Sequence, residues 1–369
     1  MMNAAKIRDS LTWVFGLLVL ASCEVDSGVF SPSRGAHDAA AEALPHDAAP
    51  EVTEVGPTDG SDAAGESVPG PFSDAADASM PGASVSVPLA VGPFASCLID
   101  DQTNVQCFGM CGPSGEGGMR NAAPAGLKAR AVTVGRAFAC ALLSEPQNGS
   151  VVRCWGGDPA GATPKVVDAD EIAAAEAHAC VRGAGGSVTC WGTVSSDAGA
   201  APAVPAGLVA TRIAASGSMD CAIVADDSVS CWGLRPALPP VDLKAKRIAV
   251  STQLADPMGG PRYGCAVTLS DDVRCWGDNP GGVQTVPAGT KAKDIALGGS
   301  AACAILLDGR VTCWGTMPRY GVKSPDGRTA TALSMAFRTA GAVLDDHSFA
   351  IWGDIGDGRG AVPAGVRAP

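Results

Sequence analysis

The sequence predicts an all-β fold, a seven-bladed β-propeller that follows a signal peptide and a disordered acidic linker. Three observations predict it: a short phrase that returns seven times, a proline at a nearly constant distance before it, and turn residues between short apolar runs. A period near 40 residues is typical of propellers, because one blade cannot bury both faces of its sheet alone. We expect a signal at residues 1–22, a linker at 23–81 and the repeats at 82–369.

The N-terminus has the pattern of an export signal. Lys6 and Arg8 precede an eleven-residue apolar run, Leu11–Ala21, which is too short to span a bilayer. The sequence Leu-Ala-Ser-Cys23 resembles the lipobox of bacterial lipoproteins, which implies cleavage before Cys23 and acylation of its sulfur. An ordinary signal peptide is the alternative, and it would leave Cys23 as an unpaired thiol. Because Glu24 stands where aspartate commonly marks inner-membrane retention, the resemblance favours the outer membrane of a bacterial cell envelope.

Residues 23–81 are predicted to be a disordered tether. They contain seven prolines, twelve acidic residues and one basic residue, so they cannot bury enough apolar surface to fold. The net charge of −12 is the sum of +1 from the signal, −11 from this segment and only −2 from the repeat region. The low pI therefore belongs to the tether, and no basic stripe for nucleic acid is present. We expect the tether to hold the propeller away from the membrane that the lipid anchor enters.

Each repeat contains a phrase that is clearest at Cys303-Ala-Ile-Leu-Leu-Asp-Gly-Arg-Val-Thr-Cys-Trp-Gly315. Its aromatic position recurs after 47, 36, 41, 44, 38 and 38 residues, at Phe108, Trp155, Trp191, Trp232, Trp276, Trp314 and Trp352. The recurring proline is found at Pro81, Pro124, Pro164, Pro205, Pro240, Pro287, Pro325 and, at the end of the chain, Pro363. Short runs between Gly, Pro and Asp predict four strands per repeat, with the Trp as a wedge between blades. The Val-Pro-Ala-Gly365 segment is expected to close the ring beside the first blade.

Twelve of the fourteen cysteines form six pairs, five of them ten residues apart and one fourteen apart. An even difference between the residue numbers of the two cysteines fits a hairpin whose loop has an odd number of residues. Leu307-Asp-Gly309 is such a loop, with its glycine in the left-handed region. Such a hairpin places the two cysteines opposite each other, within disulfide distance. The predicted bonds are Cys97–Cys107, Cys140–Cys154, Cys180–Cys190, Cys221–Cys231, Cys265–Cys275 and Cys303–Cys313. Buried free thiols are the alternative. No metal is expected, because these separations match no common zinc-ligand spacing. Cys111 has no assigned role.

The phrase Gly298…Cys303-Ala-Ile…Asp-Gly-Arg-Val-Thr-Cys-Trp-Gly315 resembles the regulator of chromosome condensation repeat. The resemblance covers residues 80–369 and implies a seven-bladed propeller, with exported bacterial relatives in the beta-lactamase inhibitor protein II superfamily. The histidine that the family carries before the repeat core is present only as His178. The namesake of the family acts on a nuclear GTPase, which an exported lipoprotein would not meet, so nucleotide exchange is not expected.

A binding or scaffold module without catalysis is the predicted function. The loops that lead into each first cysteine vary among the repeats, and we expect them on one face, where aromatic and arginine side chains would dominate binding. The candidate contacts are Phe138, His178, Met219, Arg262, Tyr263 and Arg338, together with the insertion around Gln253–Pro261. Ordinary solvent-facing loops are the alternative. The expected partner is an unidentified protein or glycan, bound by a monomer without a cofactor.

Two further functions stay open. Inhibition or regulation of a secreted enzyme follows only from analogy with the inhibitor relative. Hydrolase or lyase chemistry in the central channel would need unlike polar groups that converge in one pocket. The acidic pairs instead recur at the hairpin turn of successive repeats, where aspartate bonds to the local backbone: Asp100-Asp101, Asp226-Asp227, Asp271-Asp272 and Asp345-Asp346. We interpret them as turn residues, so an enzyme is not expected.

Overall fold

The computed structural model describes residues 88–109, 123–157, 163–193, 201–234, 236–251, 262–316, 327–355, 360 and 362–369. Contacts group residues 78–369 into one compact unit. The predicted signal peptide, Cys23, the acidic tether, Cys111 and the insertion around Gln253–Pro261 lie outside the described residues. Within the described ranges, no helix has the length and apolar character needed to cross a membrane.

Seven antiparallel sheets of three strands each form the blades. Blades 1 to 4 contain β1 (Leu89–Val91), β2 (Ala95–Ile99) and β3 (Val105–Gly109); β4 (Ala129–Val134), β5 (Phe138–Gln147) and β6 (Ser150–Gly156); β7 (Glu171–Ala174), β8 (His178–Arg182) and β9 (Val188–Gly192); and β10 (Ala210–Ala214), β11 (Met219–Val224) and β12 (Val229–Gly233). Blades 5 to 7 contain β13 (Ala245–Val250), β14 (Tyr263–Thr268) and β15 (Val273–Gly277); β16 (Ala292–Leu297), β17 (Ala301–Leu306) and β18 (Val311–Gly315); and β19 (Ala330–Ala336), β20 (Thr339–Leu344) and β21 (Phe349–Gly353). One 3-10 turn, Pro280–Gly282, precedes blade 6.

The first strand of each blade is the inner strand of the ring. It contacts the first strand of the next blade, from β1 to β4 and onward, and β19 of blade 7 contacts β1 of blade 1. The ring is therefore closed, and the predicted seven-bladed all-β propeller is confirmed. The prediction of four strands per repeat is wrong for the described blades. The proline-containing segments form only isolated bridges to the preceding hairpin turn, such as Arg310 with Thr329, because proline lacks the N–H that continues a ladder.

The hairpin between the second and third strands has the predicted register. Cys303 lies directly opposite Cys313, and the loop between Leu306 and Arg310 has Gly309 at φ 88°. Six disulfides join the same partners that the spacing predicts, with Cα atoms 4.0 to 4.1 Å apart. Blade 7 has Gly341 opposite Ile351 at this position. The odd loop thus places both members of the five shorter pairs on one face of the sheet, whereas in blade 2 a two-residue turn combined with a register shift between Leu142 and Gln147 brings Cys140 opposite Cys154.

The core consists of clusters between neighbouring blades. One cluster joins Tyr263 of blade 5 with Leu297 and Trp314 of blade 6. The indole N–H of Trp314 donates to the carbonyl of Val283 at 2.7 Å, so the tryptophan is the predicted wedge. Gly315 follows at φ 92°, and a Cβ there would lie 2.6 Å from the carbonyl of Ser300. Only glycine accommodates both this conformation and this approach.

The C-terminal segment occupies the seam between blades 7 and 1. Val366 and Ala368 pack with Leu89 and Leu98 of blade 1 and with Val343 of blade 7. The corresponding segments before blades 2 to 7 bond to the hairpin turn of the preceding blade in the same way. The predicted closure beside the first blade is confirmed.

Candidate functional site

The predicted contact residues lie at the beginning of the second strand, not on a projecting loop. Phe138, His178, Met219 and Tyr263 are each 0–2% exposed. This position is already inside the sheet and faces the seam between blades, both where the preceding turn is short, as in blades 2 to 4, and where it is longer, as in blade 5. The prediction that these four side chains contact a partner directly is therefore wrong. The two remaining candidates, Arg262 and Arg338, lie one residue earlier in their repeats and are partly exposed.

Tyr263 shows why this position belongs to the core. Its hydroxyl donates to the carbonyl of Gly298 in the next blade at 2.7 Å. Burial raises the pKa of the Tyr263 phenol, because the charged form would lose its hydration. The aromatic residue that suggested a binding anchor is thus a link between blades 5 and 6.

His178 and Asp220 form a second buried link, between blades 3 and 4. Histidine Nε2 lies 3.0 and 3.1 Å from the two carboxylate oxygens of Asp220, and the backbone N–H of Ser216 donates to the same carboxylate at 3.3 Å. Cys180 Sγ lies 3.8 Å from Asp220. His178, Cys180 and Asp220 are the only group among the described residues with metal-ligand spacing. They do not fit a metal, because the sulfur of Cys180 is bonded to Cys190 and offers no thiolate.

The aspartates of the hairpin turns bond locally, as interpreted from the sequence. Asp226 accepts hydrogen bonds from the backbone N–H and the hydroxyl of Ser228, and from Lys244 at 2.7 Å. Lys244 and Ser228 hold the pKa of the Asp226 carboxyl below its usual range. Asp308 accepts from the backbone N–H of Arg310 in the same way. A carboxylate that is ionised and hydrogen-bonded within its own turn is a structural group.

Four charged residues lie on consecutive inner strands of blades 3 to 6. They occupy one position of the repeat, immediately before the recurring aliphatic residue of the first strand, at Glu171, Arg212, Arg247 and Asp294. Burial raises the pKa of Asp294, against opposing interactions with Arg247 and Arg212. The sequence alone could have shown this pattern, because the position is charged in these four successive repeats and uncharged in the other three, at Pro88, Ala131 and Ala332.

Glu171 anchors this network to the backbone. It is 8% exposed, accepts from Arg182 Nε at 3.2 Å and accepts from the backbone N–H of Ile213 in the next blade at 3.1 Å. Burial raises the pKa of its carboxyl, and Arg212 and Arg182 oppose that rise. The network therefore satisfies an inner strand edge that the ring geometry leaves without a neighbouring strand.

At the other end of the inner strands lies an apolar pocket of about 150 Å³. We call this end of the ring the turn face, because it carries the turns between the first and second strands. The described turns are residues 92–94, 135–137, 175–177, 215–218, 298–300 and 337–338. The pocket is lined by inner strands of blades 7, 1, 2 and 3 and by the turn of blade 4. Arg136 and Glu176 form an ion pair of 2.9 Å at its rim. The pocket and the turns around it are the candidate functional site.

Residues 292–321 match the family model of the Regulator of chromosome condensation (RCC1) repeat. The CRINKLY WD40 ectodomain of the Arabidopsis thaliana receptor kinase ACR4 is 22% identical, with 77% of this chain and 99% of that chain covered and a TM-score of 0.57. The ectodomain of the Physcomitrella patens receptor kinase CR4 is 22% identical, covers 72% of both chains and has a TM-score of 0.56. Prp20p from Saccharomyces cerevisiae is 14% identical over 75% of this chain and 82% of its own, with a TM-score of 0.51. No curated sequence matches significantly.

The blades form a β-propeller, and residues 292–321, in and after blade 6, match the RCC1 repeat. The predicted resemblance is confirmed at this level, and the structural likeness, at these identities, concerns the fold alone. The link to the beta-lactamase inhibitor protein II superfamily stays a prediction.

Proposed function

We propose that the protein is a membrane-anchored lipoprotein whose propeller binds a protein partner through the turn face and performs no catalysis. The observation that supports this most directly is the closed ring of repeats, because a rigid ring presents several non-equivalent turns side by side. Prp20p, which shares the fold, has binding properties toward Gsp1p and histones. A protein partner is therefore a reasonable expectation for a propeller of this class.

The best-supported contact surface lies over blades 7, 1 and 2. Phe337, Phe94 and Arg136 are partly exposed in the turns of these three neighbouring blades. The guanidinium of Arg338 lies 4.6 Å from the centroid of the Phe337 ring. Aromatic and arginine side chains supply most binding hot spots in proteins. This surface replaces the buried residues as the candidate for partner contacts.

Phe337 also has an unusual backbone. Its φ is 50°, a region that bulky residues rarely occupy. The carbonyl of Phe337 accepts a hydrogen bond from the backbone N–H of Gly299 in blade 6 at 2.8 Å, which helps to hold this conformation. Residues kept in such regions cluster at functional sites, and this motivates the choice of Phe337 as an anchor.

Capture from envelope extract by the full mature chain in detergent tests the binding proposal. Phe337→Ala should weaken capture of the partner by about 2 kcal/mol, roughly 30-fold. Leu307→Ala is the matched control, because Leu307 is an exposed apolar residue, 53% accessible, in a hairpin turn at the opposite end of the blade. Equal capture by the Phe337 variant, or loss of capture by the Leu307 variant alone, would contradict the assignment of the turn face.

Anchoring is tested separately through Cys23. Replacement of Cys23 with Ser should abolish labelling with palmitate and move the protein from the membrane fraction to the soluble fraction, because the sulfur would no longer carry lipid. With Glu24 beside the anchor, we expect the wild-type protein in outer-membrane fractions. Unchanged partition of the Ser variant into detergent would reject the lipoprotein assignment while the binding proposal stands.

A further inference from the structure

The pocket at the turn face borders a repeat position whose side chain differs in size among the blades. This position of the inner strand, the last before or at the turn, is apolar in all seven blades, and most of its side chains pack in the seams between blades. Its members are Val91, Val134, Ala174, Ala215, Val250, Leu297 and Met335. Blades 3 and 4 carry alanine where the other five carry a larger side chain. Ala174 lines the pocket together with Val91, Val134 and Met335.

The wall of the pocket is apolar in its chemistry, although three hydroxyl-bearing residues line it. Thr133 Oγ1 accepts the backbone N–H of Ala174 at 2.9 Å. Ser334 Oγ accepts the backbone N–H of Val91 at 2.9 Å. Ser216 donates to the carbonyl of Met219 at 2.7 Å. Because each hydroxyl oxygen already takes part in a hydrogen bond within the protein, we expect an occupant to gain mainly by burying apolar surface.

The rim of the pocket is charged on one side. The Arg136 side chain is 39% exposed, whereas its partner Glu176 is 5% exposed. Arg136 Nη1 donates to Glu176, and a guanidinium presents five N–H donors in a planar fork. Arg136 can therefore pair with a second carboxylate that approaches from solvent, while the buried Glu176 keeps its place.

From this geometry we propose that the pocket is a socket for one aliphatic side chain of a polypeptide partner, leucine in size, with a carboxylate beside it that pairs with Arg136. The pocket's volume of about 150 Å³ equals that of a cavity that holds benzene, which is close to the size of a leucine side chain. The charge on Arg136 favours an acidic neighbour over a neutral one. The inference rests on the proposed function, since it names the chemistry of the partner at the same face.

N-acetyl-leucine is the probe that carries both groups, and its binding can be followed by the methyl resonances of Val91, Val134 and Met335 in the full mature chain. N-acetyl-leucinamide lacks the carboxylate, and N-acetylglycine lacks the side chain. We expect saturable shifts with N-acetyl-leucine, affinity at least 3-fold weaker for the amide, and no shift with N-acetylglycine. Equal shifts with N-acetylglycine, or no shift with N-acetyl-leucine, would overturn the socket.

Two variants make the test specific. Ala174→Leu places in blade 3 the side chain that blade 6 carries as Leu297, and it should fill the pocket and weaken N-acetyl-leucine binding at least 10-fold. Val250→Leu is the control, because it introduces leucine at the same repeat position in blade 5, outside the pocket lining. It should bind N-acetyl-leucine with the affinity of the wild-type protein. Arg136→Gln should remove the preference for the acid over the amide. If Ala174→Leu does not fold, the test uses Ala174→Val instead, because blades 1, 2 and 5 carry valine at this position.

The socket and the proposed function can fail independently. If Ala174→Leu, folded with its six disulfides intact, still binds N-acetyl-leucine like wild type, the socket is wrong. If the same variant captures the protein partner with unchanged affinity, the socket is also wrong but the binding function stands. Loss of both the probe and the partner from Ala174→Leu, with retention by Val250→Leu, is the result that supports the inference.

Discussion

The guanidinium of Arg367 donates a hydrogen bond to the backbone carbonyl of Asp346 at 2.7 Å. It joins the C-terminal segment to the hairpin turn of blade 7. Lysines at the same position of three other repeats make the same contact with the turn of the preceding blade: Lys128 with Gln102 at 2.6 Å, Lys244 with Asp226 at 2.7 Å and Lys291 with Ser270 at 2.9 Å. The C-terminal segment thus repeats the contact that links successive blades.

Deletion of residues 362–369 should destabilise the ring by roughly 2–5 kcal/mol. The deletion uncovers Leu89 and Leu98 and removes Val366 and Ala368 from their cluster, which resembles a large-to-small change in a core. Urea unfolding of both chains measures the difference. Arg367→Ala is the control, with an expected loss of about 1 kcal/mol for one hydrogen bond. A deletion no more harmful than Arg367→Ala would mean that the segment does not close the ring.

Tyr263→Ala should destabilise the protein by roughly 3–5 kcal/mol, because the side chain is a buried core residue. Tyr263→Phe keeps the ring and removes only the hydrogen bond to Gly298, so a loss of about 1 kcal/mol is expected. Thermal and urea unfolding of the two variants separate these contributions. An unchanged melting temperature for Tyr263→Ala would instead support the surface role that the sequence suggested.

Trp314→Ala should cost roughly 3–5 kcal/mol of unfolding free energy, since it empties the wedge between blades 5 and 6. Trp314→Phe retains part of the apolar surface but cannot donate to Val283, and we expect an intermediate loss. Intrinsic fluorescence of the remaining tryptophans during urea unfolding gives both values. Equal effects of Phe and Ala would show that the hydrogen bond, not the packing, dominates this position.

Removal of the disulfide in blade 6 by Cys303→Ala with Cys313→Ala should lower the unfolding free energy by about 2–3 kcal/mol, the value for a short closed loop. Peptide mapping of the wild-type chain without reductant should find each link within one repeat. The double variant also allows a comparison with reduced wild type, which should be less stable than the variant because five further bonds are lost. Links between different repeats would contradict the pairing.

Acid should weaken the turn of blade 7. Hydrogen bonds from Ser348, and the cation of Arg328, lower the pKa of Asp346 to about 2, below the value of about 3.9 in an unfolded chain. Because the carboxylate is favoured in the folded protein, the ionised Asp346 stabilises the fold fully above pH of about 4. This stabilisation is lost as the pH falls through about 2, where the folded carboxyl takes up a proton. Asp346→Asn should therefore reduce the melting temperature at pH 6, and this difference from wild type should disappear near pH 2. A difference that grows on acidification would give the opposite sign and reject this account.

The number of repeats, the register of the cysteine hairpins and the disulfide partners could all be predicted from the sequence, whereas the number of strands per blade could not. These features depend on contacts within about 15 residues, such as Cys303 opposite Cys313, where the parity of one loop decides which face a side chain takes. The turn aspartates could be interpreted correctly for the same reason, because their partners lie two residues away.

Only the closed ring determines which side chains of a blade face solvent and which pack against the neighbouring blade. Tyr263 and His178 were expected on loops, yet their partners, Gly298 and Asp220, belong to the next blade. Gly341 is a similar case, since a Cβ there would lie 2.9 Å from Val91 Cγ2 across the closure of the ring. The pocket likewise combines side chains from five different blades. Such contacts join residues 35 or more positions apart, and no local pattern encodes the distance between them until the blades pack.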